Sequence, residues 1–176
     1  MIIAKQHAAL SRFTYDLYDQ ENNNIGTLCW PDIAVAKNAR LQNPVPDLLS
    51  STIEIKYNGH LYLIEFEYLT RDWFNSLRFT LTNKGVTLAS ADVVNQKKWF
   101  KRPTITITEP FTGEVVRKSG LFTVRYEVTK NRVTQGVVAE KSGFTTKREI
   151  HIDLPSSISV PVQLFIFFLV YNHAYR

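Results

Sequence analysis

The feature that most constrains this sequence is the apolar run from residue 158 to residue 171, in which only Ser159 and Gln163 are polar. A helix of this composition is hydrophobic on every face, and such a helix is stable where other parts of the protein surround it. The run is shorter than the roughly 18 to 20 apolar residues that cross a bilayer. Pro161 suits a first helical turn, and the preceding serines can cap it. The pattern predicts a buried core helix over residues 158–172 and no transmembrane span.

The rest of the chain alternates between apolar and polar residues with the period of two that is typical of strands. The strongest local signal is Asn58-Gly59, because both central residues of a type I′ turn need positive φ. This pair predicts a hairpin of strands 53–57 and 61–68. Stretches 31–49 and 95–100 fit short helices or long loops. Further strands are predicted at 13–18, 77–82, 86–94, 103–108, 113–117, 121–128, 134–140 and 145–152.

Successive strands joined by short turns favour antiparallel pairing over the alternating β and α units of Rossmann and TIM-barrel folds. Closing such a sheet removes its edges, and a barrel of about eight strands already has a lumen that side chains fill. A barrel of eleven or twelve strands needs a plug, and the all-apolar helix provides one. The sequence therefore predicts a single domain over residues 1–176. Its fold class is mainly β, a closed antiparallel barrel of about 12 strands around a central hydrophobic C-terminal helix.

Cysteine content and the N-terminus bear on the compartment. Cys29 is the one cysteine, which excludes an internal disulfide and a cysteine-rich zinc site. Residues 1–7 lack the apolar region of a signal peptide. We therefore expect a cytoplasmic protein.

Charge is unevenly distributed along the chain. Residues 1–94 hold eight basic and ten acidic side chains, and residues 151–176 hold one of each. Residues 95–150 hold twelve basic and five acidic side chains, a net charge of +7. Such asymmetry is typical of a surface that meets phosphate groups or lipid headgroups, although a solvated face has the same composition.

The clearest candidate binding site is a basic cluster, residues 97–102, in which cations flank two large aromatic side chains. Lys and Arg attract phosphates, while Trp and Phe suit a membrane interface or stack on bases. The alternative is a loop whose aromatic side chains pack on the barrel and whose charges are solvated. If their strands lie nearby, Arg117, Lys118, Lys147 and Arg148 extend this surface. The cluster consists of Lys97, Lys98, Trp99, Phe100, Lys101 and Arg102.

Three segments together resemble the tubby-like barrel superfamily: Gly113-Glu114-Val115-Val116-Arg117, the aromatic strand over 121–126, and the close of the chain over 150–171. This superfamily comprises tubby C-terminal domains, phospholipid scramblases and LURP-one-related proteins, and in size the chain is nearest to a LURP-one-related or small bacterial member. The resemblance implies a barrel of about twelve strands around a central hydrophobic helix. It also implies binding of phosphoinositide headgroups at a surface of Lys and Arg, although no residue of that site aligns individually. The cysteine-rich and membrane-spanning segments of scramblases have no counterpart in this sequence.

Other polar groups favour structural roles. The Asn-rich segment 16–26 lacks the Gly and Glu that an EF-hand loop needs, and is typical of a turn. Glu65 with Glu67, and His151 with Asp153, each share one face of a predicted strand whose other face is apolar, which indicates a solvated outer wall. Cys29 lies between Leu28 and Trp30, a setting typical of a small buried hydrophobic residue rather than a nucleophile. The sequence contains no metal-ligand spacing, nucleotide-binding loop or nucleophile motif, and predicts neither cofactor nor metal.

Together these observations predict a non-enzymatic cytoplasmic barrel domain. Its partner is an anionic membrane surface, a phosphoinositide or another phosphate-bearing ligand, which would make it a peripheral membrane protein. The alternatives are a protein-interaction or scaffold domain and a nucleic-acid-binding module.

Overall fold

The computed structural model describes residues 1–7, 13–30, 52–70, 76–94, 103–119, 124–141 and 148–174. Twelve strands and one helix lie within these ranges. The strands are β1 (Ile2–Gln6), β2 (Phe13–Tyr18), β3 (Asn24–Trp30), β4 (Ile53–Tyr57), β5 (His60–Tyr68), β6 (Leu77–Asn83), β7 (Val86–Val94), β8 (Thr104–Glu109), β9 (Gly113–Ser119), β10 (Val124–Lys130), β11 (Val133–Glu140) and β12 (Glu149–Asp153). The helix is α1 (Val160–Ala174).

The strands form one closed antiparallel barrel. Each strand pairs with its neighbours in sequence, and β1 closes the ring against β12, with Ile2 opposite Ile152 and Ala4 opposite Ile150. Closure gives every strand a paired neighbour on both sides. The predicted mainly β fold, a closed barrel of 12 antiparallel strands with a C-terminal helix, is confirmed.

Period-two alternation divides each strand between the lumen and the outer wall. On β6, for example, Leu77, Phe79 and Leu81 are buried, while Arg78 and Thr80 between them are partly exposed. The Asn58-Gly59 hairpin is confirmed, with positive φ at both residues. Two strands were not predicted: β1, a five-residue strand at the chain terminus with no turn signal before it, and β3, which begins in the Asn-rich segment and contains Gly26.

Helix α1 occupies the lumen. Residues 161–170 are all buried, so every face of the helix is covered, and α1 contacts β4, β7 and β12 on different sides of the ring. Phe168, for example, packs edge-on against Phe13, Trp30 and Phe79. The central position of the predicted helix is confirmed, with its start at Val160.

The start of α1 explains the two polar residues in the apolar run. The Gln163 backbone N–H donates to the Ser159 carbonyl at 3.0 Å, which places Pro161 in the first turn as predicted. The side chain of Gln163 is 5% exposed, and its Nε2 donates to the carbonyl oxygens of Ile158 at 2.7 Å and Pro155 at 3.4 Å. A buried amide is thus satisfied by the chain that leads into the helix.

Antiparallel order gives the barrel two distinct ends. At the proximal end, where α1 begins, the connections are residues 19–23, 58–59, 84–85, 110–112, 131–132 and 154–159. At the distal end, where α1 ends, they are residues 7–12, 31–52, 69–76, 95–103, 120–123 and 141–148. The strand ends at each connection are therefore grouped in space although they are spread along the sequence.

Candidate functional site

The basic cluster, residues 97–102, lies outside the described residues. The residues on either side of it are described: Val94 ends β7, and Pro103 immediately precedes β8. Both belong to the distal end. The chain that carries the cluster therefore leaves and rejoins the barrel at that end.

The two ends of the barrel differ sharply in the charge of their connections. The six distal connections hold eleven basic and three acidic side chains, a net charge of +8. The six proximal connections hold two of each, Lys84 and Arg132 against Asp19 and Glu21, a net charge of zero. The structure places the strand ends that flank these connections at one end of the barrel, because antiparallel strands return every second connection to the same end. Of the eleven distal cations, Lys141 and Arg148 lie within the described residues, and the other nine lie outside them.

The residues predicted to extend the basic cluster separate into different positions. Arg117 and Lys118 lie at the distal part of β9, and Arg148 precedes β12, three strands further around the ring. Lys147 lies outside the described residues. Lys118 lies on the outer wall, where its Nζ is 3.9 Å from Glu127, and Arg125 on β10 is also 3.9 Å from that carboxylate. Two outer-wall cations therefore share one carboxylate.

Arg117 differs from the other cations because it lies on the lumen side of β9. Val115 and Gly113, two and four residues earlier on the same face, are buried, and Tyr126 is its partner on β10. Its Nε is buried and has no hydrogen-bond partner within the described part of the chain. A buried donor without a partner costs about 1 to 3 kcal/mol, and more when it is charged. The alternation of β9 could have revealed this inward arginine from the sequence.

A cleft of about 330 Å³ surrounds Arg117. It forms because the ladder between β8 and β9 ends at Ile105 opposite Val115, and toward the distal end these strands show no further pairing among the described residues. Arg117 is one of the residues that line this gap. The lining residues are Pro103, Thr104, Ile105, Glu114, Val115, Val116, Arg117 and Tyr126. Pro103 connects this cleft directly to the basic cluster.

The acidic residues considered as catalytic candidates lie on the outer wall, as predicted. Glu65 and Glu67 are exposed, and Asp153 is exposed at the end of β12. His151 contacts Glu149 through Nε2 at 2.9 Å, and Lys141 donates to the same oxygen at 3.0 Å. The hydrogen bonds from His151 and then from Lys141 lower the pKa of Glu149. This group ties the outer faces of β11 and β12 together.

The Asn-rich segment forms a turn, as predicted. Asp19 Oδ1 accepts hydrogen bonds from the backbone N–H groups of Glu21 at 2.9 Å and Asn23 at 2.8 Å. A hydrogen bond from the side-chain amide of Asn23, together with these backbone bonds, lowers the pKa of Asp19. Among the described residues, no group of three His, Cys, Asp or Glu side chains is placed to hold a metal ion.

Cys29 is not a core residue. It lies on the outer face of β3, partly buried, with its Sγ 3.5 Å from Thr14 Oγ1. Its neighbours Leu28 and Trp30 face the lumen and are buried. The prediction of a small buried hydrophobic residue missed this because period-two alternation sends adjacent residues to opposite faces.

A second cleft, of about 430 Å³, lies at the proximal end beside the start of α1. Phe111 and Pro110 from the β8–β9 turn and Ile158 from the approach to the helix form its apolar lining. Lys130 is its charged residue. No residue predicted as a site lines this cleft.

Within the described ranges, no helix combines the length and the apolar character needed to cross a membrane. Comparisons with protein-family models, with curated proteins and with solved structures found no match to this chain.

Proposed function

We propose that this is a non-enzymatic, cytoplasmic domain that binds anionic lipid headgroups at the distal end of its barrel. The observation that carries the proposal is the difference of eight charges between the distal and proximal connections. Such a field orients the domain toward a negatively charged surface before any specific contact forms. It makes the protein a peripheral membrane protein that approaches the bilayer with one end of the barrel.

The electrostatic attraction expected from the basic cluster is large enough to hold the domain at an anionic membrane. Each Lys or Arg near an anionic membrane contributes about 1 kcal/mol, so the four cations of the basic cluster alone account for roughly 4 kcal/mol. Trp99 and Phe100 add side chains that prefer the membrane interface. The resemblance to tubby-like domains supports phosphoinositides as one headgroup class.

The same charge also suits a nucleic acid, the second candidate ligand. A nucleic-acid-binding module would retard single-stranded oligonucleotides with a steep dependence on salt. If the protein is instead a protein-interaction or scaffold domain, the third candidate function, we expect no binding that depends on the basic cluster. The following experiment separates the three.

The experiment compares two charge-matched variants of the whole chain. The distal variant carries Lys97→Gln, Lys98→Gln, Lys101→Gln and Arg102→Gln. The proximal variant removes the same number of positive charges from the opposite end through Lys56→Gln, Lys84→Gln, Lys130→Gln and Arg132→Gln, all exposed in the structure. Each protein is sedimented with vesicles of neutral phosphatidylcholine, and with the same vesicles containing phosphatidylserine or a phosphoinositide.

We expect wild type and the proximal variant to sediment with anionic vesicles and not with neutral ones, and the distal variant to lose at least tenfold in affinity. Equal losses in the two variants would indicate a response to net charge alone and would contradict a site at the distal end. Absence of wild-type binding to anionic vesicles would overturn the lipid proposal. Retardation of oligonucleotides in that case would favour the nucleic-acid module.

A further inference from the structure

Arg117 is placed as a ligand-binding residue rather than as a structural one. Its Nε lies buried beside the cleft, and among the described residues no carboxylate or carbonyl oxygen satisfies it. Two other arginines differ in this respect: Arg78 binds Asp92 through two hydrogen bonds of 2.8 and 3.0 Å, and Arg125 lies near Glu127. A guanidinium presents a rigid fork of donors that matches a carboxylate or a phosphate.

The cleft has the size and lining of a small-molecule site. Its volume of about 330 Å³ lies at the lower end of the range for ligand pockets. A water molecule occupies about 30 Å³ of liquid, so the cleft exceeds the needs of a bare inorganic anion several-fold. Ile105, Val115 and the ring of Tyr126 supply apolar walls beside Arg117. The cleft therefore fits a small molecule that consists of a charged head group and a short apolar chain.

Glu114 adds a negative charge to the lining of the cleft. It lies on the opposite face of β9 from Arg117, is exposed, and lines the same cleft. A second negative charge on the ligand would meet this carboxylate, whereas a single charge would be neutralised by Arg117. The site therefore favours a monoanion over a dianion.

We propose that the cleft between β8 and β9 binds a monoanionic amphiphile, with its carboxylate or phosphodiester group on Arg117 and its hydrocarbon part against Ile105, Val115 and Tyr126. This inference rests on Arg117 and the cleft, and it does not depend on vesicle binding by the basic cluster. A soluble short-chain ligand tests it without any membrane.

The experiment titrates octanoate and dibutyl phosphate into the whole protein by calorimetry at pH 7, with 1-octanol as the uncharged control. The variants are Arg117→Gln and, as the matched control, Arg125→Gln on the outer wall of the neighbouring strand, where the side chain is 53% exposed. We expect wild type and Arg125→Gln to bind one or both anions and not octanol. Arg117→Gln should weaken binding at least tenfold. The stronger of the two anions identifies the head group.

A second measurement keeps the proposal testable if Arg117→Gln does not fold. The ¹⁵Nε–H resonance of Arg117 in the wild-type protein, assigned by its loss in Arg117→Lys, should shift on addition of the bound anion. Absence of binding to wild type at millimolar concentration, equal binding by Arg117→Gln, or binding that leaves this resonance unmoved would overturn the proposal. A distal variant that loses vesicle binding but retains anion binding would separate this site from the proposed membrane surface.

Discussion

At the scale of single residues, the side of a strand on which a polar group lies decides its role. Lys118 and Arg117 are adjacent in sequence, yet Lys118 faces solvent near Glu127, while the Nε of Arg117 is buried beside the cleft and has no hydrogen-bond partner among the described residues. The same alternation places Cys29 outside and its two apolar neighbours inside. Composition does not distinguish these neighbouring residues, whereas the pleat of the strand places them on opposite faces of the sheet.

Glu149 gives a residue-scale prediction about pH. Its pKa is lowered from the usual value of 4.5 by His151 and Lys141, so the ionised form is favoured more strongly in the folded protein than in the unfolded one. The resulting stabilisation is fully present above the unfolded-state pKa and is lost as pH falls through the folded-state pKa. In urea titrations, Glu149→Gln should therefore be less stable than wild type at pH 7, and the difference should shrink below pH 4.5. A stability difference between wild type and Glu149→Gln that stays constant from pH 7 to pH 3 would contradict the lowered pKa of Glu149.

At the scale of elements, α1 and the strands depend on each other. Ten consecutive residues of α1 are buried, so no face of the helix is exposed to solvent there. Among the described elements, α1 alone fills the lumen of the twelve-stranded barrel. Small residues on the facing strands, such as Ala89 and Ala91 on β7, leave space for the aromatic rings of the helix. Neither part buries its apolar surface without the other.

Removal of α1 should therefore prevent folding. A chain that ends before Ile158 loses several fully buried side chains, each of which contributes about 2 to 3 kcal/mol, while a typical domain has only about 5 to 15 kcal/mol of net stability. We expect this truncation to lack a cooperative transition in thermal unfolding. The milder variant Phe168→Ala should fold and lose about 3 to 5 kcal/mol in urea denaturation, because it leaves a cavity between Phe13, Trp30 and Phe79. A truncated chain that melts cooperatively would refute the plugged barrel.

At the scale of the whole molecule, the barrel groups the strand ends that flank the basic segments. The distal connections come from segments as far apart in sequence as residues 7–12 and 141–148. The antiparallel ring brings the strand ends on either side of them to one end of the barrel, and it brings those of the proximal turns, whose charges sum to zero, to the other. The proposed orientation toward a membrane is a consequence of topology and of sequence together.

The dependence of vesicle binding on salt tests this orientation. The Debye length falls from about 10 Å at 0.1 M to about 3 Å at 1 M ionic strength, so an attraction between exposed charges should largely vanish over that range. We expect co-sedimentation of wild type with phosphatidylserine-containing vesicles to fall more than tenfold between 0.1 and 1 M NaCl, and that of the distal variant to be weak throughout. Binding that persists at 1 M NaCl would instead assign the interaction to apolar insertion by Trp99 and Phe100.

Much of the fold was predictable because its signals are local. The all-apolar run, the Asn58-Gly59 turn and the alternation of the long strands each act over fewer than about fifteen residues, the range over which periodicity is informative. β1 escaped prediction because its pairing with β12 comes from the other end of the chain. β3 pairs with its sequence neighbour β2, but it begins in the Asn-rich segment and contains Gly26, so its own pattern resembles a turn. The domain's proposed ligand and its resemblance to tubby-like proteins stay predictions.

The sequence by itself determined that the chain forms antiparallel strands around an apolar helix, because side-chain polarity and turn propensity are properties of neighbouring residues. Only the tertiary structure decided which residues meet across strands. The cleft at Arg117 exists because β8 and β9 stop pairing at Ile105 and Val115, and Tyr126 lines it from a third strand. Strand register and barrel closure are set by contacts between residues far apart in sequence, and a local sequence pattern does not predict those contacts.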